Sequence, residues 1–178
     1  MAQKNPIYML EIFGQMYQKL KGRAKLILAG QGELKEKMKM TAEKLKVREE
    51  IVWLDNVVDM PRVFDGMDIL LMPSKYEGLP MTLVEAQASG VNCLVSEDIS
   101  EEASLTDLVR PLSIKKPAGS WVGPISDVLA SLQLGSSVCN LRVGYAAKVR
   151  DSGYDINDRA DSLERIYQEG LGVLPDYV

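Results

Sequence analysis

The stretch from Met72 to Glu85 constrains the fold most tightly. The apolar run Ile69–Met72 leads into a turn rich in proline and glycine, and an amphipathic segment then begins, which is typical of strand, loop and helix. A parallel strand carries such a loop to the carboxyl edge of its sheet, where the following helix directs free N–H groups and the positive end of its dipole outward. Ligands of open α/β sheets bind along that edge. The stretch therefore predicts an anion site on an α/β fold.

Two carboxylates flank this turn, since Glu77 lies in the loop and Glu85 follows after seven intervening residues. Amides suit phosphate, because each hydrogen bond to a charged group contributes roughly 1.5–3 kcal/mol. Carboxylates repel phosphate but accept hydrogen bonds from hydroxyls, and a nucleotide sugar carries both groups. The spacing also fits a loop charge and a solvated helix residue with no ligand.

Pro80 lies where the predicted helix begins. Proline has no N–H to donate, which costs nothing in the first helical turn because that N–H has no intrahelical partner. We expect Pro80 at the first helical position, with the N–H groups of Met81, Thr82 and Leu83 free to face a ligand. Gly78 has no Cβ and permits close approach of a ligand or a positive φ.

The residues around the two acids resemble the signature of a known enzyme family. They are Ser74, Tyr76–Pro80, Glu85–Ala88 and Gly90–Cys93. In these positions the chain is similar to retaining glycosyltransferases of the GT-B fold, specifically family 4, which builds capsular and other surface polysaccharides. The resemblance extends from about Gln3 to the C-terminus and is strongest from Lys25 to Ser96.

The resemblance implies a fold and an activity. The fold is α/β, with a Rossmann-like parallel sheet and helices on both faces, formed by residues 1–178 as the C-terminal, donor-binding half of a GT-B enzyme. The enzyme transfers a sugar from a UDP-sugar or GDP-sugar to an acceptor hydroxyl. No cofactor and no metal are expected, and no Asp-x-Asp cluster is present. We expect the N-terminal acceptor domain to be missing, so that the chain is inactive alone.

The resemblance also implies roles for individual residues. Glu77 is the catalytic residue and accepts hydrogen bonds from the donor sugar, while Glu85 accepts from the ribose. Lys4 binds the diphosphate, and Val57 lies near the base. The remaining donor-binding residues are those of two turns, namely Gly30 and Gly32, and Gly78, Leu79, Pro80, Met81, Thr82 and Leu83. Asp55 departs from the family pattern, which usually has glycine there.

The N-terminal residues predict a helix that no strand precedes. Asn5 is a capping residue before Pro6, and the apolar stripe of the helix ends at Gly22. A doubly wound sheet usually begins with a strand, so we expect the chain to begin just after the first strand of its domain. In the family that strand ends shortly before a Lys followed by Gly or Asn, which Lys4–Asn5 resembles. The terminal helix, about 156–170, is expected to cross to the missing domain.

The rest of the chain alternates short apolar runs with amphipathic segments. Strands are predicted at 24–29, 51–54, 68–72 and 91–95, a loop or short strand at 104–111, and helices at 33–46, 59–65, 121–132, 139–150 and 156–169. Gly30-Gln31-Gly32 ends the first strand. This turn has neither the third glycine of a dinucleotide fingerprint nor the Gly-Lys-Ser/Thr of a P-loop.

Composition excludes several classes of function. Hydrophobic residues make up 46% of the 178 residues and charged residues 26%, which is ordinary for one globular domain. The net charge of -4 offers no basic surface to nucleic acid or anionic lipid. No apolar run approaches the ~20 residues of a membrane helix. We expect a soluble, cytoplasmic domain without nucleic-acid or membrane contacts.

The chain has no histidine and two cysteines. The absence of histidine excludes a Ser-His-Asp triad, a Cys-His pair and a histidine-based zinc site within this chain. Cys93 and Cys139 do not make a disulfide framework or a metal site. Cys93 lies in the apolar run Val91–Val95, which predicts a small buried hydrophobe.

Two other classes of function remain open. A flavodoxin-like nucleotide-binding or receiver module without transferase activity would share the architecture, with Asp55 in the place of a phosphorylated Asp. A nucleotide-sugar epimerase of the GT-B fold would share both the fold and the ligand. Such epimerases rely on histidine, which this half does not supply.

Overall fold

A computed structural model describes residues 2–134, 142–155, 160 and 164–167. The helices are α1 (Pro6–Lys19), α2 (Lys35–Lys44), α3 (Met60–Asp65), α4 (Met81–Ala88), α5 (Val122–Leu134) and α6 (Tyr145–Val149). The strands are β1 (Leu26–Ala29), β2 (Ile51–Leu54), β3 (Ile69–Met72), β4 (Asn92–Ser96) and β5 (Val109–Leu112). Short 3-10 turns cover Ala2–Lys4, Arg48–Glu50, Glu101–Ala103 and Ala118–Trp121, and a π-helical turn covers Arg150–Tyr154.

All strand pairs that the structure describes are parallel, which confirms the Rossmann-like α/β prediction. β1 pairs with β2, with Leu26 opposite Ile51. β4 lies between β3 and β5, with Cys93 opposite both Leu70 and Val109. The described strands form two sheets, β1-β2 and β3-β4-β5, rather than the expected single sheet, because no ladder joins β1 to β3.

The predicted elements differ from the observed ones mainly at their ends. β2 has the predicted bounds, whereas β1 begins at Leu26 rather than Ala24 and β4 runs one residue later than predicted. The segment predicted as loop or short strand, 104–111, includes all but the last residue of β5. The predicted helix at 139–150 is described only from residue 142, including α6, and the predicted helix at 156–169 lies largely outside the described residues. None of the helices in the described ranges combines the length and apolarity needed to span a bilayer.

α1 buries side chains against both sheets. Leu10 and Phe13 belong to an apolar cluster with β1, β2 and α2. Ile12 and Met16 belong to a second cluster, with Leu94 of β4 and with α5. A third cluster fills the space between α3, α4 and the β3-β4-β5 sheet. α1 therefore holds the two sheets in one structure.

The two sheets are oriented alike. A groove of about 810 Å³ lies between β1 and β3, and we call it the intersheet groove. Its lining includes the residues that enter β1, Gly22–Lys25, and those that enter β3, Gly66–Asp68, so the amino ends of both strands open on it. The carboxyl ends of the strands in both sheets therefore lie on a common side, opposite these amino ends.

The two helix starts for which the sequence predicts a capping side chain behave differently. Asp59 caps α3 as predicted, since its carboxylate accepts a hydrogen bond from the Arg62 N–H at 3.4 Å. Asn5 occupies the N-cap position of α1 but makes no side-chain capping bond, so that detail of the prediction was wrong. Its φ of 51° is left-handed. The residue before a proline is kept out of the right-handed region, and asparagine tolerates the left-handed one.

The fully buried side chain of Gln87 fastens α4 to the segment that follows β4. Its amide nitrogen donates to the carbonyls of Leu83 at 3.1 Å and Ala103 at 2.8 Å. Its oxygen accepts from the N–H groups of Leu105 at 2.9 Å and Thr106 at 3.0 Å. The chain between β4 and β5 is thereby held against α4.

We predict that Gln87→Ala lowers the free energy of unfolding by about 2–4 kcal/mol, because two backbone N–H groups lose their acceptor. Urea denaturation followed by circular dichroism measures the change. Gln18→Ala, on the exposed side of α1, is the matched control and should stay within about 0.5 kcal/mol of the parent. Equal stability of the two variants would contradict the assignment.

The buried thiol of Cys93 should be unreactive in the folded protein. Burial raises its pKa to about 12, whereas an unfolded thiol has a pKa of about 8.5. The contribution of this pKa difference to the free energy of unfolding is complete below the unfolded pKa, and it is lost as the pH rises toward the folded pKa. In a Cys139→Ser variant at about pH 8, a disulfide reagent should label Cys93 only in proportion to unfolding. Rapid labelling without denaturant would contradict the burial, and full labelling in concentrated urea is the control.

Candidate functional site

The turn between β3 and α4 lies at the carboxyl edge, as predicted. α4 begins at Met81, so Pro80 is the N-cap residue and not the first helical residue. Its carbonyl accepts hydrogen bonds from the N–H groups of Leu83 at 2.8 Å and Val84 at 3.3 Å. The expectation of a free Leu83 N–H was therefore wrong, because the first turn of the helix closes on the Pro80 carbonyl.

Other amides of this turn remain available. Within the described part of the chain, no hydrogen bond engages the N–H groups of Gly78, Leu79, Met81 or Thr82. A Cβ at Gly78 would meet no atom within 4 Å, and the φ of this residue lies outside the left-handed range. Of the two expectations for Gly78, the space for a close ligand is present and the positive φ is not.

Glu77 is held in the turn by two side chains. The Ser74 hydroxyl donates to Glu77 Oε1 at 2.9 Å, and Lys4 Nζ lies 3.1 Å from the same oxygen. Ser74 is buried, and the Glu77 side chain is only 9% exposed. Both contacts use Oε1, so among the described residues Oε2 keeps its lone pairs for a ligand.

Lys4 reaches Glu77 because the start of the chain is tied to the end of β3. The Gln3 carbonyl accepts a hydrogen bond from the Lys75 N–H at 2.8 Å. The Lys4 side chain is 51% exposed, so solvent weakens its ion pair with Glu77. Its charge nevertheless contacts Glu77, the residue that precedes the free amides, where the resemblance places a diphosphate.

Glu85 lies on α4 and is exposed. It is four residues beyond Met81, so both lie on the same face of the helix, which is the face that Met81 exposes by 52%. The structure describes no ion pair or side-chain hydrogen bond for Glu85. Glu77 and Glu85 are therefore not joined to each other, and Glu85 is free to accept from a ligand.

A second group of predicted residues lies at the carboxyl ends of β1 and β2. Gly30 has a φ of +119°, which favours glycine, and its N–H donates to the Leu54 carbonyl at 2.8 Å. Gln31 Nε2 donates to Asn56 Oδ1 at 3.4 Å, which joins this loop to the one containing half-buried Val57. No hydrogen bond or ion pair in the described ranges connects this group to Glu77.

Two contacts near the candidate site residues were not predicted. Ser74 was part of the recognised signature, but nothing in its spacing assigned it as the hydrogen-bond partner of Glu77. Lys35 forms an ion pair with Asp55, the residue that departs from the family pattern. A lysine at the start of a helix, facing the acid after the neighbouring strand, is the sequence signal that could have indicated it.

No described cluster of three or more His, Cys, Asp or Glu side chains has the arrangement of a metal site. The predicted site residues are acids, one lysine and backbone amides. This donor set suits an anion and hydroxyls.

Comparisons with known proteins follow the same direction. Residues 2–123 match the family model described as Glycosyl transferases group 1. The chain is 33% identical over 130 residues to EpsF of Bacillus subtilis (strain 168), which is named as a glycosyltransferase, and the match covers 72% of this chain and 33% of EpsF. It is 29% identical over 96 residues to the Escherichia coli UDP-Gal:alpha-D-GlcNAc-diphosphoundecaprenol alpha-1,3-galactosyltransferase, over 53% of this chain and 25% of that protein.

A solved structure shares the fold. The pneumococcal O-GlcNAc transferase GtfA, in complex with UDP and GlcNAc, matches with a TM-score of 0.75 over 96% of this chain and 34% of GtfA, at 12% identity. The chain spans a third or less of the length of these two sequence relatives. The family match covers more than half of the chain, and we conclude that this protein belongs to the group 1 glycosyltransferases and has the Rossmann-like fold of GT-B enzymes.

Proposed function

We propose that this chain is the donor-binding domain of a retaining glycosyltransferase, which transfers a sugar from a nucleoside diphosphate sugar to an acceptor hydroxyl in surface polysaccharide synthesis. The observation that carries the proposal is the turn before α4, where free amides lie beside Glu77, itself held by Ser74 and Lys4. The epimerase and receiver alternatives gain no support from the family match.

The proposed chemistry is stabilisation of a diphosphate leaving group. The N–H groups of Gly78, Leu79, Met81 and Thr82, together with the positive end of the α4 dipole, would bind the phosphate oxygens. Lys4 would add a full positive charge beside them. Donors that are already oriented stabilise the charge that develops as the glycosidic bond breaks, without reorganisation during the reaction.

The acids would bind the two sugars of the donor. Glu77 would accept hydrogen bonds from the transferred sugar through its second oxygen, since Ser74 and Lys4 engage the first. Glu85 would accept from the ribose hydroxyls. Gly30, Gly32 and Val57 would border the base and the nucleotide, on the neighbouring strand ends.

We propose a UDP-sugar as the donor, with no metal or cofactor. Support comes from the names of two similar proteins, a UDP-Gal-dependent galactosyltransferase and a transferase solved with UDP. We further propose that the protein works in the cytoplasm, in capsular or other surface polysaccharide synthesis. The free thiol of Cys93 fits a reducing compartment.

The proposed activity needs a second domain. The acceptor hydroxyl and the groups that select it would come from an N-terminal acceptor domain of the same protein, which the terminal helix predicted at 156–170 would contact. Most of that helix lies outside the described residues. We propose that this chain alone binds the donor and does not transfer the sugar.

We predict that Glu85→Gln weakens UDP binding about tenfold, because the ribose hydroxyl then donates to a neutral amide oxygen in place of a charged carboxylate. Isothermal titration with UDP, and with GDP for comparison, measures the change. Glu11→Gln, an exposed acid on α1, removes the same charge elsewhere and should bind UDP like the parent. Unchanged affinity of Glu85→Gln for UDP would show that Glu85 does not bind the ribose. Absence of UDP binding by the parent would contradict the proposed function.

We predict that Glu77→Gln acts on the sugar and not on the nucleotide. Its amide can still accept from Ser74, so the turn should keep its structure, while hydrogen bonds to the donor sugar lose their charge assistance. UDP should bind about as well as to the parent, and any extra affinity of the correct UDP-sugar over UDP should fall several-fold. Equal loss of UDP and UDP-sugar binding would place Glu77 on the diphosphate instead.

A further inference from the structure

Lys35 and Asp55 form an ion pair that joins the first residue of α2 to the residue after β2. β1 and β2 are parallel neighbours, so the loops that follow them lie side by side at the carboxyl edge. The Lys35 side chain is 30% exposed and that of Asp55 is 51% exposed, so a ligand in solution can reach both. Glycine, which the family usually has in place of Asp55, would offer no carboxylate there. The pair therefore belongs to this chain and is not part of the family pattern.

The ion pair presents a hydrogen-bond donor next to an acceptor. Lys35 Nζ contacts Oδ1 of Asp55, and among the described residues no hydrogen bond or ion pair engages Oδ2. An ammonium group carries several N–H donors, so Lys35 keeps donors for a ligand. A ligand that meets the pair must offer an acceptor to Lys35 and, beside it, a donor to Asp55.

The space next to this pair can hold a flat ring. Gly30 donates its N–H to the carbonyl of Leu54, the residue before Asp55, and a Cβ placed on Gly30 would meet no atom within 4 Å. In the loop after β2, Val57 is half-buried and Val58 is completely exposed. Apolar surface with a few polar groups at its border is typical of a site for a small organic ligand.

Nucleobases differ in the groups that they offer to such a pair. Uracil has a carbonyl oxygen beside a ring N–H, and so does guanine, whereas cytosine and adenine have an amino group beside a ring nitrogen with a lone pair. The first pattern gives a charge-assisted hydrogen bond to Lys35 and another to Asp55. The second sets the amino group against the ammonium and the lone pair against the carboxylate, which is repulsive at both positions.

We infer that Lys35 and Asp55 are specificity-determining residues for the base of the donor. Lys35 donates to a carbonyl oxygen of the base, and Asp55 accepts from the ring N–H beside it. The pair thereby selects uracil or guanine over cytosine and adenine. This assignment rests on the proposed function, in which Val57 borders the base, and adds the side chains that read the base and the edge that they read.

The test compares the affinities of UDP, GDP, CDP and ADP for the full chain by isothermal titration calorimetry. Asp55→Asn keeps the size of the side chain but offers an N–H as well as an oxygen, so it can pair with either kind of base. Glu36→Gln removes the same charge from the exposed residue that follows Lys35 on α2, and it is the matched control. Circular dichroism shows whether each variant is folded.

The parent should bind UDP and GDP at least about tenfold more tightly than CDP and ADP, because a mismatched base loses charge-assisted hydrogen bonds. In Asp55→Asn, CDP should bind more tightly than it does to the parent, and the preference for UDP over CDP should fall at least about threefold, since the new N–H can donate to the cytosine ring nitrogen. Glu36→Gln should keep the parental preference.

The remaining outcomes separate this inference from the proposed function. Equal affinity of the parent for all four nucleotides would overturn the inference and leave the proposed function in place. An equal loss of affinity for all four in Asp55→Asn would also overturn it, because the ion pair would then only hold the two loops together. The same holds for an unchanged preference in that variant. Absence of binding of every nucleotide to the parent would overturn both.

Discussion

Burial of two faces of α1 is the interaction on which both halves of the structure depend. Leu10 and Phe13 pack against the β1-β2 sheet, while Ile12 and Met16 pack on the β3-β4-β5 side. Because no strand ladder joins the sheets in the described chain, this helix sets their relation. The position of α1 also determines where Lys4, just before this helix, lies. The ion pair between Lys4 and Glu77 therefore depends on the apolar packing of the helix that follows Lys4.

The site itself is exposed but rests on a rigid support. Leu83 and Ala86 of α4 are fully buried in the cluster shared with β3 and β4, and Gln87 fastens the same helix to the chain beyond β4. The turn between β3 and α4 is therefore fixed at both ends. Its free amides are therefore held between two anchored elements, and oriented donors are the condition for efficient charge stabilisation.

The groups at this turn favour two different kinds of ligand group. Backbone amides and Lys4 favour an anion, while Glu77 disfavours one and favours hydroxyls. Ser74 and Lys4 hold one carboxylate oxygen of Glu77, which leaves the other available. A ligand with phosphate at one end and hydroxyls at the other satisfies both, which is why the geometry supports a nucleoside diphosphate sugar better than either phosphate or a sugar alone.

The sequence by itself determined the α/β class, the bounds of β2, the cap at Asp59 and the family, because strand and helix periodicity, capping and short motifs are local properties. Tertiary structure alone decided the contacts of Lys4 and Ser74 with Glu77, the pairing of Lys35 with Asp55, and the division of the strands into two sheets. These outcomes depend on how distant elements pack, and no local pattern encodes the distance between side chains that only the completed core brings together.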